Sequence, residues 1–211
     1  YSFNATISRS LIANFVLNTY TISVASNPEE GGTVSGGDNY SHGSLVNLTA
    51  TANTGYSFVN WTEDGLEVST NPVYSFTVTS NRDLVANFSL NIYNISVAAN
   101  PLIGGIINGG GTYFHGSTVN LTAIPNVGYS FVNWTENGEI VSTSPDYSFT
   151  ALADRTLIAN FSLNTYSVNL AANPENGGSV SGGGSFNHGE LVVVNAVNNE
   201  GYIFLNWSEN G

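Results

Sequence analysis

Val46-Asn-Leu-Thr-Ala-Thr-Ala-Asn-Thr-Gly-Tyr-Ser-Phe-Val-Asn-Trp-Thr-Glu-Asp-Gly65 reads as two β-strands, each followed by a turn. Val46, Leu48, Ala50 and Ala52 alternate with Asn47, Thr49 and Thr51, the period of two that buries one face of a strand. Asn53-Thr54-Gly55 supplies Asx and positive-φ turn chemistry. Tyr56 to Thr62 is aromatic and β-branched, as strands prefer, and Glu63-Asp64-Gly65 closes a hairpin. The pattern continues outward. Tyr20, Ile22 and Val24 share a face opposite Thr21 and Ser23, and Leu84, Ala86, Phe88 and Leu90 alternate with Val85, Asn87 and Ser89. Asn27-Pro28…Gly31-Gly32 and Gly36-Gly37-Asp38-Asn39 read as turns between strands. About seven short strands spaced about 8–12 residues apart predict a small all-β domain with no helices. A sandwich and a β-grasp-like sheet both fit.

The unit recurs. Trp61, Trp134 and Trp207 are spaced 73 residues apart, as are His42, His115 and His188, and Arg9, Arg82 and Arg155. Tyr20–Ile92 aligns without a gap to Tyr93–Thr165 at about 47 of 73 positions, a tandem repeat. A third copy starts at Tyr166. The opening Tyr1-Ser2-Phe3-Asn4…Leu11-Ile12-Ala13-Asn14-Phe15 corresponds to Tyr74…Phe88 and Tyr147…Phe161. Four segments are therefore expected: 1–18, the closing strands of a preceding incomplete repeat; 19–91 and 92–164, repeat domains; and 165–211, a third repeat lacking its last strands.

A 73-residue globule is about 30 Å across. Phe88-Ser-Leu-Asn-Ile-Tyr93 leaves almost no linker between units, which is the geometry of a stalk. The chain has no initiator Met and begins and ends inside repeats. It reads either as a window of a longer polypeptide or as a subunit that donates residues 1–18 to the last repeat of the next copy. The expected partners are accordingly copies of itself or further repeats of the same chain, head-to-tail.

Charge and composition narrow the function. Fifteen acidic residues against three Arg give a net charge of −12, and there is no Lys. Nucleic acid and anionic membrane surfaces both require the basic patch this chain lacks. No apolar run nears the roughly 18 residues of a membrane helix, so no membrane insertion is expected. Without Cys there are no disulfides, thiolate metal sites or Cys nucleophiles. Without Lys there is no amine for an isopeptide cross-link. A chain that is 41% hydrophobic and 12% aromatic can nevertheless bury a core.

Gly31-Gly32-Thr-Val-Ser-Gly-Gly37, His42-Gly-Ser-Leu-Val-Asn-Leu-Thr-Ala50, Gly55-Tyr-Ser-Phe-Val-Asn-Trp61 and Leu84-Val-Ala-Asn-Phe88 together resemble the divergent internalin B-type repeat. The resemblance implies a tandem module of large, secreted bacterial and archaeal surface proteins, hence an extracellular, cell-surface setting. It supplies no catalytic residue and no ligand.

The enriched motif is Asn-x-Ser/Thr, the N-glycosylation acceptor, at Asn4, Asn39, Asn47, Asn60, Asn87, Asn94, Asn120, Asn133, Asn160 and Asn206. Asn4, Asn47, Asn87, Asn94, Asn120 and Asn160 fall on polar faces of expected strands. Asn60 shares a face with Tyr56 and Phe58 and is a weaker acceptor. His42 and its repeats read as turn residues that bond backbone, since one His per unit makes no metal site. Glu63-Asp64-Gly65 loses its second acid in the other two copies, which suits a turn better than a calcium loop. Trp61, with Val59 on its face, reads as the core aromatic rather than a sugar platform. Each Arg is expected to make a local contact in its turn, beside Asp83 or Asp154. Gly109-Gly110-Gly111 is followed by no Lys-Ser/Thr and no helix, so it is not a phosphate loop.

No catalytic, cofactor-binding or metal-binding residue is assigned. The expected function is a non-catalytic structural segment of an extracellular stalk or filament. The alternative is an adhesin segment that binds glycans or a partner protein.

Overall fold

The computed structural model describes residues 1–209. The chain divides into two compact units, Tyr1–Asn91 and Ile92–Gly211. In the first, the strands are β1 (Thr19–Asn27), β2 (Gly32–Ser35), β3 (Asp38–Ser41), β4 (Leu45–Ala52), β5 (Tyr56–Glu63), β6 (Leu66–Ser69), β7 (Val73–Thr77) and β8 (Arg82–Leu90). There are eight strands rather than seven. The additional one is β3: Asp38 and Asn39, read from sequence as the end of a turn, start a strand that pairs with β1.

Two sheets form, in the orders β3-β1-β8-β5-β6 and β2-β4-β7. Neighbouring strands are antiparallel except β1 and β8, which run parallel from Ile22↔Arg82 to Asn27↔Asn87. Ile22, Trp61, Leu84, Ala86 and Phe88 from the larger sheet meet Val46, Leu48 and Ala50 from the smaller in one buried core. The architecture is thus the sandwich. Among the described residues the only helical turns are single 3₁₀ turns at Glu29–Gly31, Leu102–Gly104 and Glu175–Gly177. The last strand of the unit in sequence, β8, lies at the centre of the larger sheet.

A β-bulge corrects the reading of β5. Phe58 pairs with Phe88, but Asn60, not Val59, is the next residue in register, opposite Asn87. The extra residue shifts the alternation by one. Phe58 and Trp61 therefore both point into the core, with ring centroids 6.2 Å apart, while Val59 is 47% exposed. The expected pairing of Val59 with Trp61 on one face is overturned, and so is that of Asn60 with Phe58. Trp61 is fully buried, and its indole N–H donates to Pro72 O at 3.2 Å.

Phe88 also explains the Gly31-Gly32 pair. A Cβ on Gly31 would lie 2.7 Å from the Phe88 Cβ, and one on Gly32 would meet the Phe88 ring and approach Thr51 O to 2.5 Å. Neither backbone nor buried ring can yield. Gly32→Ala is expected to destabilise this domain by about 1–3 kcal/mol. Chemical denaturation of the chain checks this, and an unshifted midpoint would show that the site can relax.

The second unit repeats the plan with β9 (Ile92–Asn100), β10 (Gly105–Asn108), β11 (Gly111–Phe114), β12 (Thr118–Pro125), β13 (Tyr129–Glu136), β14 (Glu139–Ser142), β15 (Asp146–Thr150) and β16 (Arg155–Leu163). Its sheets are β11-β9-β16-β13-β14 and β10-β12-β15. The third copy then begins with β17 (Thr165–Val168), β18 (Gly178–Ser181), β19 (Gly184–Asn187) and β20 (Asn195–Asn198). They make only two separate pairs, β17–β19 and β18–β20. Residues 1–18 are exposed and form no strand. The strand pair read there from sequence is absent because no edge adjoins it to accept its backbone hydrogen bonds.

Candidate functional site

Each complete sandwich carries a polar frame around its core. Arg82, at the start of β8, donates through Nε to both carboxylate oxygens of Glu63 at 3.0 Å and through Nη2 to Oε2 at 2.6 Å. Its Nη1 donates to the Tyr74 hydroxyl at 3.3 Å, and its guanidinium stacks 4.3 Å from the Phe76 centroid. Glu63 belongs to the larger sheet and both aromatics to the smaller, so one side chain ties the two sheets together. Arg155, Glu136, Tyr147 and Phe149 reproduce the arrangement.

The expected local contacts with Asp83 and Asp154 are replaced by this pairing across 19 residues. Asp154 instead accepts the Asn94 N–H at 2.8 Å. Hydrogen bonding to the glutamate raises both arginine pKa values, against the opposing effect of burial. Hydrogen bonding from Arg155 holds the Glu136 carboxyl below its ordinary value, although burial acts the other way.

A second frame is a row of amides across the larger sheet. Asn27 Nδ2 donates to Asn87 Oδ1 at 3.1 Å, and Asn87 Nδ2 donates to Asn60 Oδ1 at 2.8 Å and Thr62 Oγ1 at 3.1 Å. Asn60 Nδ2 continues to Glu67 Oε2 at 2.8 Å. The row thus crosses β1, β8, β5 and β6 in order. Asn100, Asn160, Asn133 and Thr135 repeat its first part. As sequons, Asn60, Asn87, Asn133 and Asn160 are spelled only as sugar acceptors; Asn27 and Asn100, equally periodic, are the signal in the sequence that these amides act together.

The other acceptor sites lie apart. Asn39 on β3, Asn47 on β4, Asn94 on β9 and Asn120 on β12 are exposed. Asn47 and Asn120 use their Oδ1, which accepts from Ser75 at 2.6 Å and Ser148 at 2.7 Å. Asn4 and Asn206 are exposed, outside any strand.

His42 donates its backbone N–H to Asn18 O at 2.8 Å, as expected of a turn residue. Within the second unit, His188 does the same to Asn164 O, and Asn164 N–H in turn donates to Gly128 O, each at 2.8 Å. The His188 ring covers Gly128 so closely that a Cβ there would overlap it. This hydrogen-bonded turn is what joins the second repeat to the third. Asp64 and Gly65 have φ of 50° and 78°, the two-residue hairpin turn read from sequence, and the Glu63 carboxylate is committed to Arg82. Among the described residues no three His, Cys, Asp or Glu side chains gather as metal ligands.

In the third copy a groove of about 290 Å³ lies beside β18 and β20. Asn173, Gly177, Gly178, Phe204, Asn206 and Trp207 are among its lining residues. Trp61 and Trp134 are fully buried, whereas Trp207 is 41% exposed.

The sequence profile of the divergent InlB B-repeat domain matches residues 22–92, 95–165 and 168–211. The chain belongs to this family. The first two of its B-repeats have the two-sheet core described above. A protein of Evansella cellulosilytica, provisionally named as a membrane protein, is 27% identical over 209 residues, covering 94% of this chain and 30% of that protein. A second protein of the same organism, provisionally named as a Gly-rich membrane protein, is 26% identical over 163 residues, covering 77% of this chain and 18% of its own length. The chain thus spans less than a third of either relative. No solved structure matches the B-repeats significantly. Among the described residues no helix is long and apolar enough to cross a membrane.

Proposed function

We propose that these B-repeats are a non-catalytic structural segment of an extracellular surface stalk or filament, with successive units joined head-to-tail. The observation that carries this reading is how the chemistry that recurs in each unit is used. The periodic Trp, Arg, Glu and Asn side chains of both complete repeats are engaged in holding strands together. A single residue, Asn91 or Asn164, separates the last strand of one repeat from the first of the next. The much longer relatives named as membrane proteins support a surface setting. The adhesin alternative loses its readiest contact residues, since Trp61 and Trp134 are inaccessible to a sugar.

Electron microscopy of the native material tests the reading. Unbranched fibres with an axial period set by the 73-residue unit are expected. Dispersed monomers with saturable glycan binding would overturn it.

Surface display also orders the sugar acceptors. Asn47 and Asn120 present exposed amides that are engaged only through Oδ1, whereas Asn94 Nδ2 donates to Ser96 Oγ at 3.0 Å. Asn87 and Asn160 commit Nδ2, the atom a sugar must take, to two acceptors each. Peptide mass spectrometry of the native protein is expected to find N-linked sugar at Asn47 or Asn120 and none at Asn87 or Asn160. Glycan at Asn87, or bare peptides over both exposed sites, would contradict this.

A further inference from the structure

The first two repeats share a fold but differ sharply at one surface. Leu102, Ile103, Ile106, Ile124 and Val127 occupy the positions of Glu29, Glu30, Thr33, Thr51 and Thr54. The local geometry is common to both. Asn53 Nδ2 donates to Glu30 O at 2.9 Å, and Asn126 Nδ2 donates to Ile103 O at 3.0 Å. Thr33 pairs with Thr51 across β2 and β4, and Ile106 pairs with Ile124 across β10 and β12. The fold accepts polar residues at these five positions, so the core does not require the apolar ones.

Ile107 and Ala123 face the core, which leaves Ile106 and Ile124 on the outer face of the smaller sheet. The turn that carries Leu102 and Ile103 is tied to Asn126, whose N–H donates to Gly104 O at 3.0 Å. Leu102, Ile103 and Val127 therefore sit together at one end of that sheet. All five side chains are at least 46% exposed, and Val127 is 88% exposed. Together they expose about 600 Å², the upper end of what a monomer shows in one apolar patch. The strands of this sheet, β10, β12 and β15, contain one charged residue, Asp146, and its carboxylate accepts from Thr122 Oγ1 at 2.8 Å.

We infer that two copies of this chain associate side by side through this face, the patch of one second repeat packed on that of the other. A chain of net charge −12 repels its copies over any face that carries carboxylates. The same positions present Glu29 and Glu30 in the first repeat, and Glu175 and Glu200 in the third. The second repeat is the neutral exception, and a two-fold axis brings to each copy the same uncharged surface. Burial from both partners comes to about 1,200 Å², the lower bound of a specific interface. The dimer is accordingly weak, with a dissociation constant of about 10–100 μM. An anionic membrane would be repelled by the same charge. Asn120 lies about 13 Å along β12 from Ile124, so a sugar there flanks the contact. The inference goes beyond the stalk reading and does not rest on it.

The test uses the full chain in unglycosylated form, with sedimentation velocity at rising concentration. Dimers that strengthen with added salt are expected, because salt screens the acidic flanks and leaves the apolar contact. Leu102→Glu with Ile103→Glu should weaken them at least about a hundredfold, by setting like charges across the axis. Ile106→Thr with Ile124→Thr should weaken them at least about tenfold. All four substitutions copy the first repeat, so the domain keeps its fold, which unchanged hydrogen exchange would verify. The chain has no Cys, so an introduced one reports the contact alone. With an added oxidant, Ile106→Cys should give disulfide-linked dimers and Thr33→Cys should not.

A chain still monomeric at about 1 mM overturns the inference. So does association that the double glutamate variant leaves unchanged, association that salt weakens, or equal cross-linking through Thr33→Cys. Binding of a monomeric chain to phosphatidylcholine vesicles, lost in the glutamate variant, would also overturn it by making lipid the occupant. The stalk reading is judged separately, by the axial period of native fibres.

Discussion

Trp134→Ala is expected to destabilise the 92–164 domain by about 3–5 kcal/mol, the largest effect of any single substitution here. Trp134 is fully buried between the two sheets and contacts Phe131, with ring centroids 6.0 Å apart. Its indole N–H donates to Pro145 O at 3.1 Å. Alanine would leave a cavity that the bulged β13 cannot collapse to fill, and it would remove one of two donors to Pro145 O, which also accepts the Ala123 N–H at 3.0 Å. Hydrogen exchange resolved by segment measures the loss. Unchanged protection across 92–164 would show that the core relaxes around the missing ring.

The second large effect is expected at Arg155. Arg155→Ala should destabilise the same domain by about 2 kcal/mol, below the range for fully buried pairs, because the paired side chains keep 20% and 22% exposure. The loss combines three contacts: the two-oxygen grip on Glu136, the Tyr147 hydroxyl and the stack on Phe149. Arg155→Lys should recover less than half, since an ammonium offers neither a planar fork nor a stacking face.

The pair also sets an acid limit. Glu136 has a folded-state pKa below its ordinary 4.5, so the folded protein binds fewer protons there than the unfolded chain. Its contribution is fully present above about pH 4.5 and is lost as pH falls through the lowered folded value. Arg155→Ala should therefore flatten the acid arm of the stability–pH curve measured by urea unfolding. An acid arm unchanged in the variant would show that other carboxylates govern it.

Much of the molecule was legible from local pattern. Alternation placed β1, β4 and β8 on the correct faces, because period two is a property of any half-buried strand whatever its partner. The Asp64-Gly65 turn was legible because two consecutive positive φ angles require those residue types. The core role of Trp61 and Trp134 was legible as well, although the neighbour assigned to Trp61 was wrong. A bulge inserts one residue against a partner strand, and nothing within Tyr56–Glu63 alone reveals a partner. The partner of Arg82 was missed for a related reason. Glu63 is 19 residues away, while Asp83 is adjacent in the chain but points elsewhere. The amide row was half visible, as Asn recurring every 73 residues, but a sequon and a cross-strand amide are spelled alike.

The sequence by itself determined the repeat, its length, its strand-forming character, its acidic surface and the absence of Lys and Cys chemistry. These depend on residue type and spacing along the chain. Only the tertiary structure decided that two sheets pack as a sandwich and that the last strand of each repeat is the central one. Strand order is set by pairing between segments distant in sequence. A β8 held on one side by β1 and on the other by β5 makes each sandwich depend on its own final residues.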